Sequence, residues 1–323
     1  MNSAPRSQTG VIAKHYLSHP KTASSQDELE NWRPKTSFFS MVDLLTRALP
    51  LVQNRDAFVD GHRIRYLDIG SSNHQPVVLL HGFSASKENW LSMVFSLLKR
   101  RYRLLIPDLP GFGMSSFRAA QRYSYEIQAN RLADWYEKLH LGPAHWVGSS
   151  MGGAIAAGIA SARPEGVKTL TLMNAAGVST HSRSPMEDGL VTGDNVLIPD
   201  SYRDVEKLFR FTTHRSQGLW ARTFPAVLAK DMLHRRPVHR KIFQDMLTPA
   251  IPTEEVLMKI KTPTFILWGN RDRIIDVSCV ALFEQLIPHA QSKILKGIGH
   301  LPMIESPELT ARCLHKFWMT PTA

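Results

Sequence analysis

The chain has 323 residues, 43% of them hydrophobic, enough to bury a full core as one large domain or as one domain with an insertion. Its two cysteines, Cys279 and Cys313, are too few for a disulfide framework and fit a reducing, cytoplasmic setting. A formal net charge of +11 points to anionic partners, and with no nucleic-acid-binding motif beside it, an acidic membrane surface is what remains.

The first 36 residues are polar and contain no apolar run like the core of a signal peptide. No stretch reaches the ~18 apolar residues of a spanning helix. Residues 38–52 come nearest, interrupted by Asp43 and Arg47 and ended by Pro50. Their spacing suits an amphipathic helix lying on the protein or on a bilayer, with the protein as the expected bed.

Ala57-Phe58-Val59 and Arg63-Ile64-Arg65-Tyr66-Leu67 flank Asp60-Gly61, a hairpin signal that predicts two opening antiparallel strands. Val77-Val78-Leu79-Leu80 and Leu104-Leu105-Ile106 are continuous apolar runs, as strands buried on both faces should be. Helical spacing lies between them at residues 90–99 and again at 125–139. Trp146 and Val147 end a further short strand, and Val167–Met173 is the next. This alternation predicts an α/β fold with a mostly parallel, doubly wound sheet.

The alternation lapses between about residues 179 and 256, a run of helical segments punctuated by Pro185, Pro199, Pro225, Pro237 and Pro249. It returns with Thr264–Trp268, a helix near Cys279–Leu286, and Ser292–Leu295. The expected division is a polar N-terminal extension with its amphipathic segment (1–55), an α/β core (56–178 and 257–323) and a helical cap (179–256).

Between one strand and a small-residue helix lies Gly148-Ser149-Ser150-Met151-Gly152. G-x-S-x-G in that context is the pattern of a nucleophile elbow, with the serine on a strained strand-to-helix turn. Glycine stands at −2 and +2 only about Ser150, so Ser149 takes a backbone role and Ser150 is the candidate nucleophile. The alternative is a tight turn in which Ser150 merely caps the helix. A serine nucleophile needs a base and a carboxylate to hold that base. Asp272 follows the strand ending at Trp268, with Asp276 as runner-up, and His300 follows the last strand; all these positions lie at carboxyl ends of parallel strands. An oxyanion needs two N–H donors. Met151, after the nucleophile, and Phe83, in the loop His81-Gly82-Phe83, are the candidates, with His81 bracing that loop. No metal-ligand spacing is seen, and the chemistry requires no metal or organic cofactor.

The set His81-Gly82-Phe83, Asp108-Leu109-Pro110-Gly111-Phe112-Gly113, Gly148–Gly153, Trp268-Gly269-Asn270-Arg271-Asp272 and Gly299-His300 resembles the α/β-hydrolase superfamily across about residues 57–318. Within it, the residues 80–92, 147–153 and 174–177 look like those of monoacylglycerol lipases of the α/β-hydrolase-domain type and of related cold-adapted bacterial lipases. The resemblance implies a serine hydrolase acting through an acyl-enzyme on carboxylic esters with an apolar acyl chain. A carbon–carbon bond hydrolase using the same triad, and a ligand-binding receptor that retains one, are the rival readings. Between Arg203 and Lys241 ten basic residues face only Asp204, Glu206 and Asp231, a pattern that fits either a solvated helix face or peripheral contact of the cap with an anionic membrane surface. Leu208, Phe209, Leu219, Trp220, Phe224, Val227, Leu228 and Leu233 are the candidates for an acyl pocket there.

Overall fold

Eight strands form one sheet in the computed structural model, which describes residues 16–17, 24–35, 37–47, 51–180, 182–214, 219–248 and 253–320. The elements in chain order are α1 (Gln26–Asn31), α2 (Ser37–Arg47), β1 (Val52–Val59), β2 (His62–Ile69), β3 (Gln75–Leu80), α3 (Leu91–Leu98), β4 (Tyr102–Pro107), α4 (Tyr125–Glu137), β5 (Ala144–Ser149), α5 (Met151–Ala162) and β6 (Val167–Met173). There follow α6 (Pro185–Val191), α7 (Tyr202–Thr212), α8 (Leu219–His234), α9 (Arg236–Met246), α10 (Thr253–Met258), β7 (Thr264–Gly269), α11 (Cys279–Leu286), β8 (Gln291–Leu295), α12 (Pro302–Glu305) and α13 (Pro307–Met319).

The sheet order is β1-β2-β4-β3-β5-β6-β7-β8. β1 pairs with β2 and β2 with β4 antiparallel, while every pair from β4 to β8 is parallel. The α/β fold class and the opening hairpin expected from sequence are both present. Val59 faces His62 across the Asp60-Gly61 turn, and both turn residues have positive φ.

The apolar runs explain why the sheet is central. Val77 to Leu80 are all 0% exposed, and alternate residues serve opposite faces. Val78, Leu80 and Leu105 join the core shared with α4, α5 and α11, whereas Val77, Leu79, Leu104 and Ile106 join that shared with α3 and α13. Chain order leaves β3 leftward to β4 and then rightward to β5. The sheet's switch point therefore lies at β3 and β5, where crevices open at the carboxyl ends of strands.

The helices between β6 and β7 lie over that carboxyl edge. The Ser84 hydroxyl donates to the Leu197 carbonyl (2.5 Å), the Tyr123 N–H donates to Asp245 (2.9 Å), and Phe83 packs against Phe243 at 5.3 Å between ring centroids. The N-terminal segment braces the same helices from outside. Trp32 Nε1 donates to the His234 carbonyl (2.9 Å), and the buried Arg235 guanidinium stands 5.5 Å from the rings of both Trp32 and Phe39.

Among the described residues, several charges of the basic run from residue 203 to 241 are paired with acids. Arg236 and Arg240 pair with Asp200 (3.2 and 2.9 Å), Lys207 with Asp194 (2.6 Å) and Lys241 with Asp245 (2.6 Å). These acids stand outside the stretch in which the basic excess was counted. Arg235, only 3% exposed, binds Asp231 (2.9 Å) and the Gly113 carbonyl (2.6 Å). Among the candidate pocket residues Leu208 is buried, but Val227 is 50% exposed and faces outward. The side chains of Leu219, Trp220 and Phe224 lie outside the described residues.

Candidate active site

Ser150 follows β5 directly and has φ +53° and ψ −122°, a conformation that costs a non-glycine residue about 1–3 kcal/mol. It stands at the N-cap of α5, yet its side chain makes no capping hydrogen bond. Simple helix capping therefore does not account for it. The turn is tight enough to demand the flanking glycines. A Cβ on Gly148 would collide with the Gly152 carbonyl, and one on Gly152 would come within 2.5 Å of the Leu80 carbonyl. Ser149 is fully buried in β5, as a backbone residue should be.

The loop after β3 lies against this turn. A Cβ on Gly82 would sit 3.1 Å from Ser150 Cβ and 3.7 Å from its Oγ. Among the described residues neither the Phe83 nor the Met151 N–H donates to a backbone carbonyl. Met151 opens α5, where the first N–H groups lack partners within the helix and the dipole favours negative charge. His81 holds the loop from inside. It is 0% exposed, its Nδ1 lies 2.8 Å from the Gly82 carbonyl, and its Nε2 accepts the Leu109 N–H at 3.0 Å. One nitrogen must then donate and the other accept, which fixes a single neutral tautomer.

Asp272 and His300 come together from the ends of β7 and β8. His300 Nδ1 lies 2.8 Å from Asp272 Oδ2; in the neutral ring, an N–H donated from Nδ1 to that carboxylate makes Nε2 the acceptor. Both residues are buried, at 3% exposure for His300 and 8% for Asp272. Asp272 Oδ1 accepts the N–H groups of Ile274 (2.8 Å) and Ile275 (3.0 Å). Asp276 is engaged elsewhere, its Oδ1 accepting the Ser278 N–H at 2.9 Å. No hydrogen bond joins Ser150 Oγ to His300 among the described residues; such contacts are often long in a resting site and tighten with substrate.

Two buried residues that sequence reasoning passed over complete the frame. Asn174, at the end of β6 with φ +44°, donates from Nδ2 to Asp272 Oδ2 at 2.7 Å. Its sequence signal was the strand-end position, one strand over from Asp272. Glu305 on α12 accepts the N–H groups of Gly299 and His214, each at 2.8 Å. The His300 N–H donates to the Thr212 carbonyl at 2.9 Å, so the end of α7 and the His300 loop are tied together. Nothing local in sequence marks that link.

An aromatic cluster flanks the loop after β3. His239 of α9 stacks on Phe112 at 5.3 Å and lies 5.4 Å from Phe83. Desolvation is the chief cause that pushes the pKa values of His239 and His145 down to about 3, and burial also lowers His81. These imidazoles stay neutral in the fold but take up protons in the unfolded chain below pH ~6.5, so the unfolded state binds more protons. Stability present above pH ~6.5 is therefore lost as pH falls from there toward 3, by about 1.4 kcal/mol per pH unit for each of His145 and His239. A melting series from about pH 8 to about pH 5 should show the midpoint flat at first and then falling. A midpoint that stays constant or rises on acidification would refute it.

The alpha/beta hydrolase fold family matches this chain over residues 75–307. Lipase 1 of Psychrobacter immobilis is 31% identical over 253 residues, covering 78% of this chain and 79% of its own length. The monoacylglycerol lipase ABHD6 of Rattus norvegicus is 29% identical over 278 residues, 82% of each chain. Among solved structures, a membrane phospholipase A described as a bacterial virulence factor superposes with a TM-score of 0.81 at 34% identity, covering 87% of this chain and 90% of its own.

Proposed function

We propose, from the premise that this chain belongs to the α/β-hydrolase family and is a carboxylic-ester hydrolase, that its substrate is a lipid ester with an apolar acyl chain, of the monoacylglycerol kind. Ser150 is the nucleophile, His300 its general base and Asp272 the carboxylate that orients His300. The Phe83 and Met151 N–H groups are the oxyanion donors.

In this mechanism His300 Nε2 takes the Ser150 proton as Oγ attacks the ester carbonyl. The charge that develops on the carbonyl oxygen meets the two N–H groups, which among the described residues give up no backbone hydrogen bond on receiving it. His300 then passes the proton to the leaving alkoxide, releasing alcohol and leaving an acyl-Ser150. Water, deprotonated by His300, attacks the acyl-enzyme, and collapse returns the proton to Ser150 and frees the carboxylic acid. Asp272 stabilises the imidazolium at each stage through the 2.8 Å hydrogen bond, and Asn174 together with the Ile274 and Ile275 N–H groups keeps that carboxylate in place.

The observation that carries the reading is Ser150 held at positive φ beside two N–H groups without backbone acceptors, with the buried His300–Asp272 pair at neighbouring strand ends. The apolar acyl preference is supported by the Phe83, Phe112 and Phe243 rings around the oxyanion loop. Residues 179–256 act as the cap over the acyl chain, and contact with a lipid surface follows from where such a substrate resides.

Glycerol and p-nitrophenyl esters of graded acyl length test the proposal. The ratio kcat/KM should rise with chain length by about fourfold for each added methylene, since each buried methylene contributes ~0.8 kcal/mol. A profile that peaks at acetate would overturn the lipid assignment. Turnover of a dienol-diketone acid without turnover of esters would favour the carbon–carbon hydrolase, and turnover slower than ligand release would favour a receptor.

A further inference from the structure

Helix α2 is turned inside out. At helical spacing it buries Phe39 (4% exposed), Asp43 (4%) and Thr46 (7%), while Met41, Leu44 and Leu45 are 51%, 69% and 63% exposed. A helix on a protein surface ordinarily does the reverse. Buried charge holds this orientation. Asp43 Oδ2 accepts from Arg65 Nε at 3.0 Å, and Lys87 Nζ lies 3.7 Å from Asp43 Oδ1. Asn54 Nδ2 donates to both the Asp43 carbonyl (3.3 Å) and Thr46 Oγ1 (3.0 Å). Rolling the helix to hide its leucines would strip Arg65 and Lys87, both buried, of a carboxylate.

We propose that this exposed face of α2, together with Leu51, is the surface by which the protein lies on an anionic lipid membrane. The choice of occupant rests on the lipid-ester reading above. Three features favour it. The face is apolar at i, i+3 and i+4, the pattern of a helix lying in a lipid interface. Its surroundings favour an anionic surface: residues 40–51 hold no acid but the buried Asp43, and exposed Lys35 precedes the helix. At the far end the Leu51 carbonyl accepts the Gly70 N–H, and Gly70 packs on Leu98 of α3, beside exposed Lys99 and Arg101 and a 68% exposed Phe95. The third feature is size. One helix face and Leu51 fall far short of the ~20 residues a side that a stable protein interface engages, whereas a few inserted side chains suffice for reversible lipid attachment.

The test uses the full chain with phosphatidylcholine vesicles, with and without phosphatidylglycerol. Wild type should co-sediment more strongly with the anionic vesicles, and salt should erase the difference as the Debye length shrinks from ~10 Å at ~0.1 M to ~3 Å at ~1 M. Leu44→Gln/Leu45→Gln should lower the partition coefficient at least about tenfold while leaving hydrolysis of a soluble short-chain ester unchanged. Phe58→Gln, at an exposed apolar site on β1, and Arg236→Gln/Arg240→Gln, whose charges are already paired, should bind as wild type does. Undiminished binding by the α2 variant, or loss confined to the Arg236/Arg240 variant, would overturn the proposal. Equal binding to both vesicles would overturn the anionic occupant. A dimer on size exclusion that the α2 variant dissolves would assign the face to a second copy instead. Wild type that hydrolyses the soluble ester yet binds no vesicle would sink the surface alone, whereas vesicle binding without any hydrolysis would sink the enzymatic reading alone.

Discussion

Ser150→Ala is expected to reduce ester turnover by ~10⁴-fold or more and to abolish labelling by a fluorophosphonate probe. The alanine retains the backbone, so the strained φ of +53° and the close approach of the Gly82 loop are preserved. What disappears is the proposed nucleophile, and the neighbouring Ser149 cannot replace it because it is sealed inside β5. The residual rate would come from the oxyanion donors and substrate binding, which remain. The variant should melt at or slightly above the wild-type temperature, because no buried hydrogen bond of the Ser150 hydroxyl is lost and alanine tolerates the turn no worse. Persistent labelling of the folded variant would show that the nucleophile lies elsewhere.

Asp272→Asn should lower kcat by a comparable ~10⁴-fold with little change in KM, while Asp276→Asn changes kcat less than about threefold. The asparagine would present an amide that either donates toward His300 or loses half of its acceptor capacity. In the first case His300 Nδ1 must be the acceptor and Nε2 carries the proton, the tautomer that cannot serve as a base. Asn174 compounds the fault, for its Nδ2 already donates to Asp272 Oδ2 at 2.7 Å and would face a second amide. Asp276 has no part in this, being turned to the Ser278 N–H. Kinetics of the two variants side by side decide the matter. A larger loss in Asp276→Asn would transfer the carboxylate role to that residue.

Much of the molecule could be read along the chain. The hairpin at Asp60-Gly61, the unbroken apolar runs of β3 and β4, and the return of alternation after Met258 are local patterns of backbone period and turn chemistry. They specified an α/β sheet with its helical insertion because strand, turn and helix each impose their spacing on nearby residues. The turn about Ser150 was legible in part for the same reason: Gly148 is required by its contact with Gly152, four residues on, whereas Gly152 is required by the distant Leu80 carbonyl at the end of β3. Asp272 and His300 could be nominated by their places after strands, although their 2.8 Å contact could not.

The roles of Asn174 and Glu305 and the ion pairing of the basic run at residues 203–241 were hidden from that reading. Each depends on which distant segments meet: β6 beside β7, the end of α7 on the His300 loop, and Asp194 and Asp200 against basic residues on α7 and α9. The amphipathic stretch at residues 38–52 shows the division most plainly. Its period determined a helix with one apolar and one polar side, and its sequence favoured the protein as the bed for the apolar side. Tertiary structure decided the reverse, because Arg65 from β2 and Lys87 beyond β3 are buried and draw Asp43 inward. Periodicity is written into neighbouring residues by helix geometry. The choice of face belongs to desolvated charges that meet only once the sheet has formed.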